Sequence, residues 1–180
     1  MRGYFGIGVE GISKPMNVGN LFRSAHAFGA SFVFTIGASL ARKASKSDTS
    51  DIAWHVPYYA FADVAEFRLP KGCALVGVEL LDEAVELPVF RHPSRAAYVL
   101  GRERGSLSAE LVQRCDHLVK IPTKFCINVA SAGVVVLYDR LVSLGRFPGR
   151  PLVPGGKPVA LPDHVFGTTR QRRSAAADAP

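Results

Sequence analysis

Tyr98-Val99-Leu100-Gly101-Arg102-Glu103-Arg104-Gly105-Ser106-Leu107 is an apolar run that stops at a glycine and turns at once into charge. No charged residue interrupts positions 96–100, so the strand they predict is covered on both faces. Residues 4–9, 32–36, 74–78 and 117–121 have similar character. Helical patterns lie between these runs. Over residues 17–28, Val18, Leu21, Phe22, Ala25 and Phe28 share one face, with Asn17 as N-cap and Gly29 as stop. Residues 58–67 and 108–114 read as further helices, the second opened by Ser108. Residues 129–144 read as a largely buried helix, capped by Asn128 and stopped by Gly145. Alternation of this kind predicts an α/β domain, a mostly parallel sheet with helices on both faces. Ligands of such sheets bind just beyond the carboxyl ends of the strands, where residues 101–105 would stand.

Composition narrows the function. Of 180 residues, 48% are hydrophobic and 21% charged, the balance of one globular domain and not of a disordered chain. Lys and Arg outnumber Asp and Glu by 22 to 15, and the net charge of +7 favours an anionic partner, nucleic acid first. From Gly145 onward Arg146, Arg150, Lys157, Arg170, Arg172 and Arg173 stand against only Asp163 and Asp178. That is six minus two, or +4 of the +7, in a segment holding six of the twelve prolines. We therefore expect a folded domain over residues 1–147 and an extended or disordered basic tail over 148–180. The tail is either a solvated end or an arm that contacts phosphates. Cys73, Cys115 and Cys126 suit neither a disulfide framework nor a cysteine zinc site, and the five histidines show no metal-ligand spacing. Neither a secretory signal nor an apolar run of ~18 residues is visible, so the expectation is a reduced, cytoplasmic protein without metal or membrane contact.

Gly6-Ile7-Gly8-Val9-Glu10-Gly11 matches the dinucleotide pattern G-x-G-x-x-G in letters only. Its glycines sit inside a strand, Ser13-Lys14-Pro15 follows where a helix should open, and residues 28–32 hold no acid for a ribose. Close approach by another part of the chain explains them better.

Three stretches carry more chemistry. Lys14-Pro15-Met16-Asn17-Val18-Gly19-Asn20-Leu21-Phe22-Arg23 sets Asn17, Asn20 and Arg23 at i, i+3 and i+6, away from the apolar face. They form either a solvated helix face or a set of donors for phosphate or ribose. Residues 101–105 are either a polar turn or a ligand loop. Ile121-Pro122-Thr123-Lys124-Phe125-Cys126-Ile127-Asn128-Val129-Ala130-Ser131-Ala132 again runs from a strand end into a helix start, with small residues that let a ligand lie against backbone. Two weaker candidates are the loop at 39–51, with Arg42, Lys43 and Lys46, and the aromatic group Trp54, Tyr58 and Tyr59. The loop connects elements or binds phosphate; the rings pack or stack on bases.

Taken in order, these stretches resemble the SPOUT superfamily of RNA methyltransferases, and within it the TrmH-like ribose 2'-O-methyltransferases, over most of residues 4–144. Pro15, Asn17, Gly19, Arg23, Gly29 and Ala30 fit the first motif. Gly101, Glu103 and Leu107 fit the second, with Gly105 one place early. In the third, the segment is shorter than usual and Cys126 stands where a Ser is usual, before Ile127-Asn128. The resemblance implies a C-terminal trefoil knot and S-adenosylmethionine bound among three loops. Those loops would contain Glu79 and Leu80; Leu100, Gly101 and Gly105; and Ile121, Pro122, Cys126, Ile127 and Ala132. Backbone groups of Leu100, Gly101, Ile121 and Ile127 would hold the adenine.

The resemblance also implies an RNA substrate, tRNA or rRNA, and a homodimer in which Arg23 of one subunit faces the cofactor of the other. Transfer of a methyl from a sulfonium to a ribose hydroxyl is an in-line displacement, so the protein chiefly aligns the reacting atoms. A guanidinium with a pKa above ~12 is a poor base, so Arg23 is assigned to fixing a phosphate and stabilising alkoxide charge. Asn17 would position Arg23 or cap its helix. Glu103 would orient an Arg or the ribose, and Asn128 would either bond across the site or cap the last helix. The competing reading is a non-catalytic RNA-binding module that keeps the knotted fold.

Overall fold

In this computed structural model, which describes residues 3–38, 56–102 and 105–160, the first strand, β1 (Tyr4–Glu10), is paired on both sides. The chain continues through α1 (Pro15–Ala27), β2 (Phe32–Ile36), β3 (Tyr58–Phe61), β4 (Ala74–Val78) and β5 (Val85–Glu86). It then runs through β6 (Arg95–Leu100), α2 (Ala109–Arg114), β7 (His117–Lys120) and α3 (Val129–Leu144). Among the described residues the strands form one sheet in the order β3-β2-β1-β6-β4-β7-β5, every neighbouring pair parallel. All carboxyl ends therefore emerge along one edge.

The two faces are covered differently. Ile7, Val9 and Tyr98 pack beneath Leu21 and Ala25 of α1 and Val136 and Leu137 of α3. On the opposite face Phe32, Phe34, Ala97 and Val99 pack under Phe67, Val64 and Leu111 of α2. Burial of each large apolar side chain contributes about 1.5–3 kcal/mol, so these two layers dominate the stability. The glycines of β1 belong to the second layer. A Cβ on Gly6 would lie 2.4 Å from the Phe32 ring, and one on Gly8 2.4 Å from the Phe34 ring. Aromatic side chains, and not a pyrophosphate, occupy the space those glycines leave.

Three local expectations are corrected. Residues 58–67 do not form a helix: β3 occupies 58–61, and a turn follows. Tyr58 faces Phe22 and Thr35, with its phenol oxygen 2.8 Å from Thr35 Oγ1, whereas Tyr59 lies edge-on to Phe32 and Phe61 edge-on to Phe67. That two-residue alternation is a strand's period. Asn17 is not an N-cap, because α1 starts earlier, at Pro15, with Lys14 as its cap residue. Proline's fixed φ and missing donor suit that first position. Finally α3, capped and stopped as expected, is buried on one face only: Val135, Tyr138 and Val142 of the other stay 38–54% exposed. The chain divides into two units, Met1–Gly145 and Arg146–Pro180, and the described residues of the second contain neither helix nor strand. Trp54, the basic loop at 39–51 and residues 161–180 lie outside the described residues. Among the described residues no helix is long and apolar enough to cross a membrane.

A buried polar chain fastens α3 to the sheet. Arg140 donates to the Tyr98 oxygen (3.0 Å) and to the carbonyls of Pro93 (2.6 Å) and Ser94 (3.0 Å). Tyr98 contacts His92 Nδ1 at 2.7 Å, and His92 Nε2 contacts an Asp139 carboxylate oxygen at 2.8 Å. Every bond is satisfied when His92 is neutral and carries its proton on Nε2. Burial, which outweighs the nearby Asp139 carboxylate, holds the His92 pKa below its ordinary value. The unfolded chain thus takes up the proton first, so stability is complete above the ordinary histidine pKa of about 6.5 and falls as pH drops below it. Thermal midpoints recorded from about pH 8 down to about pH 5.5 should decline, and His92→Gln should remove part of that slope while lowering the midpoint throughout.

Candidate active site

The carboxyl ends of β4, β6 and β7 release three loops that meet the start of α1 and of α3 around a cleft of about 210 Å³. Of the positions implicated by sequence, Glu79, Leu80, Gly101, Gly105, Ile121, Cys126, Ile127 and Ala132 line this cleft, and so do Asn17 and Asn128. Leu100 does not: it lies in the core below, 2% exposed. Pro122 is exposed outside the lining, and Glu103 is outside the described residues. Arg23 is exposed on α1 and is not part of the lining. Helix geometry explains its separation from Asn17: six residues advance about 9 Å along the axis and leave the two side chains about 120° apart around it. Within one chain, Asn17 therefore shares the cleft of Gly101 and Arg23 does not.

Asn128 performs both roles that sequence left open. Its side-chain oxygen accepts the amides of Ala130 (2.9 Å) and Ser131 (3.4 Å), capping α3. Its amide nitrogen donates to the Asn17 oxygen at 3.2 Å, across 111 positions of chain. The cap fixes which end of the Asn128 amide is oxygen, and that in turn presents the Asn17 nitrogen as the donor on its other side. One side chain thereby orders the third motif and orients a residue of the first.

The loop walls are set by backbone contacts. A Cβ on Gly101 would lie 2.8 Å from a Glu79 carboxylate oxygen and 3.0 Å from the Leu107 nitrogen, so only glycine lets these two loops touch. The loop after β7 is tightened by Thr123, whose hydroxyl donates to the Phe125 carbonyl at 2.9 Å. The hydroxyl of this loop thus comes from Thr123, which sequence did not single out, while Cys126 lines the cleft as an exposed thiol. Val78 and Val129 also line the cleft unanticipated, and Lys14 and Arg102 are its unanticipated charged members. Both sit within quoted motifs, but only the fold shows which neighbours of Pro15 and Gly101 face inward.

This donor set suits an adenosyl group. Leu80 and Ile127 keep 40% and 37% of their surface exposed at the cleft, giving a planar base apolar contact beside the amides of Asn17 and Asn128. Among the described residues, no group of three or more His, Cys, Asp and Glu side chains is arranged to hold a metal ion.

A parallel sheet with its cleft at this edge defines an α/β ligand-binding domain, and comparison gives its family. Residues 5–138 match the SpoU rRNA Methylase family. The chain belongs to that family. It is 28% identical over 138 residues to the mouse (Mus musculus) tRNA (guanosine(18)-2'-O)-methyltransferase TARBP1, covering 71% of this chain but only 9% of that much longer protein. Its fold is similar to that of an AdoMet-bound rRNA methyltransferase from Sinorhizobium meliloti, with TM-score 0.70, 22% identity, and coverage of 81% of this chain and 59% of the other. A structure giving insights into the 2-OH methylation of C/U34 on tRNA is similar over 79% of this chain and 91% of its own, at 26% identity and TM-score 0.67.

The double role of Asn128 can be separated by substitution. Asn128→Ala should lower the free energy of urea unfolding by about 1 kcal/mol, the usual value of a side-chain N-cap. Asn128→Asp keeps an acceptor for α3 and loses only the donor to Asn17, so it should retain most of that stability. Equal losses in both variants would place the stabilisation in the bond to Asn17.

Proposed function

We propose that this protein transfers a methyl group from S-adenosylmethionine to a ribose 2'-hydroxyl of tRNA or rRNA. The observation that carries this reading is the convergence of the three motif loops on one cleft beside Asn17 and Asn128. S-adenosylmethionine supplies a methyl group already activated by a positive sulfur. Backbone groups at Gly101, Ile121 and Ile127 and the apolar side chains of Leu80 and Ile127 hold the adenosyl part. Asn17 and Asn128 orient the substrate oxygen, and Glu103 orients a guanidinium or the ribose. Arg23 pairs with the adjoining phosphate and stabilises negative charge on the hydroxyl oxygen as it takes the methyl, with S-adenosylhomocysteine leaving as a neutral thioether and the hydroxyl proton passing to water at the open cleft.

The working form in this proposal is a cytoplasmic homodimer in which Arg23 serves the partner's cleft. The outer face of α3, with Tyr138 54% exposed between Val135 and Val142, supports such an interface. So does the exposure of Arg23 away from its own cleft. The C-terminal part is proposed to thread as a trefoil knot, supported by α3 packing on α1, β6 and the turn Leu87–Val89. The three unpaired cysteines suit a reducing compartment. The domain of residues 1–147 carries the chemistry, and the basic tail 148–180 contributes phosphate contacts.

Calorimetry should register heat when S-adenosylmethionine is added to the full chain; its absence favours a non-catalytic RNA-binding module. Arg23→Ala should abolish methyl transfer to RNA while cofactor affinity changes by less than about twofold, because the guanidinium acts on the RNA side. Loss of cofactor affinity instead removes Arg23 from this role. Truncation after Phe147 should weaken RNA binding and flatten its dependence on salt, as the tail's phosphate contacts are lost.

A further inference from the structure

We propose that Glu10, at the end of β1, and Glu79, just past the end of β4, act as a carboxylate clamp that holds the returning chain at Leu107 and Ser108 beside Gly101 and so sets that wall of the cofactor cleft. The proposal rests on the reading of the cleft as a methyl-donor site and assigns two positioning residues to it. Register brings the clamp together. Val9 and Val78 both pair with Leu100, so the next residues, Glu10, Gly101 and Glu79, stand in one row at the sheet's edge. The turn that leaves β6 at Gly101 returns at Leu107 and Ser108, directly before α2.

The two carboxylates take consecutive amides of that return. Glu79 Oε2 accepts the Leu107 amide at 2.8 Å, and Glu10 Oε2 accepts the Ser108 amide at 2.8 Å. Each has a second engagement. Glu79 Oε1 accepts the Leu80 amide at 2.9 Å within its own loop, so the carboxylate that reaches Leu107 is also held at its base. Glu10 Oε1 lies 3.7 Å from Arg102 Nη2, at the departing end of the turn. Glu10 is 3% exposed, so its carboxyl group must find its partners within the fold, and the Ser108 amide and Arg102 provide them. Gly101 completes the arrangement, since any Cβ there would meet the Glu79 carboxylate. Because both Glu79 oxygens are engaged by backbone, its effect on a bound cofactor runs through the positions of Leu80, Gly101 and Leu107.

The chemistry separates the two residues. Glu79 must accept on both oxygens, so in Glu79→Gln one backbone N–H would face an NH₂ group. Glu10→Gln keeps an acceptor for Ser108 and loses only the charge opposite Arg102. Titration of S-adenosylmethionine into the full-length protein should show binding weakened about tenfold or more by Glu79→Gln and about twofold by Glu10→Gln. Hydrogen exchange gives the readout that general destabilisation would not: the Leu107 amide should exchange faster in Glu79→Gln, with the core amides of Val76 and Val99 still protected. Binding by the wild type with affinity and Leu107 exchange unchanged in Glu79→Gln overturns the clamp alone. Loss of protection at Val76 and Val99 together with Leu107 also overturns it, in favour of a purely structural carboxylate. No binding by the wild type overturns the methyl-donor reading and the clamp with it.

Discussion

Pairing of β6 with β1 on one side and β4 on the other is the constraint from which the site follows. None of these strands is adjacent in the chain to the next, yet their parallel registers align Val9, Val78 and Leu100 across the sheet. The walls of the candidate cleft then leave from a single edge. The loops after β4, β6 and β7 converge there because parallel strands all end in the same direction, and α1 and α3 open beside them. Without β6 between its two neighbours, Glu10, Gly101 and Glu79 would be residues with no relation.

The same arrangement explains how an exposed, polar site stays ordered. Its side chains are anchored in pairs from distant parts of the sequence, Asn17 by Asn128 and the amides of Leu107 and Ser108 by Glu79 and Glu10. Charge-assisted bonds to backbone amides are among the stronger hydrogen bonds; Glu10 joins the loop to a buried strand end, and Glu79 joins it to the loop that follows β4. Below the site, the chain Arg140–Tyr98–His92–Asp139 ties α3, which carries Asn128 at its start, to the central strand. Binding geometry and the hold on the last helix are thus parts of one network of core and polar contacts.

Much of the architecture could be read from the sequence because its strongest signals are local. Strands at 32–36 and 74–78 and the helix at 129–144 follow from apolar runs, caps and stops that need no partner to be recognised. Residues 58–67 misled because four aromatic residues spread through the segment satisfy helical spacing as well as a strand followed by a turn; pairing of β3 with β2 decides between them. β5, two residues long, has no signal of its own and exists by pairing with β7. The expected cap at Asn17 failed because Pro15 starts the helix two positions earlier, which turned that amide from capping its own helix toward Asn128.

By itself the sequence determined the class of fold, through patterns that span a few neighbouring positions, and its resemblance to a known family implied the three loops and most of the residues that line the cleft. Tertiary structure alone decided that Glu10 and Glu79 grip consecutive amides, that Asn128 reaches Asn17, and that Arg23 turns away from the cleft its motif shares. Those outcomes depend on strand register and on rotation around a helix axis. Register and packing relate residues 28 to 111 positions apart, and the docking of α1 decides which of its faces meets the cleft; no local pattern encodes either.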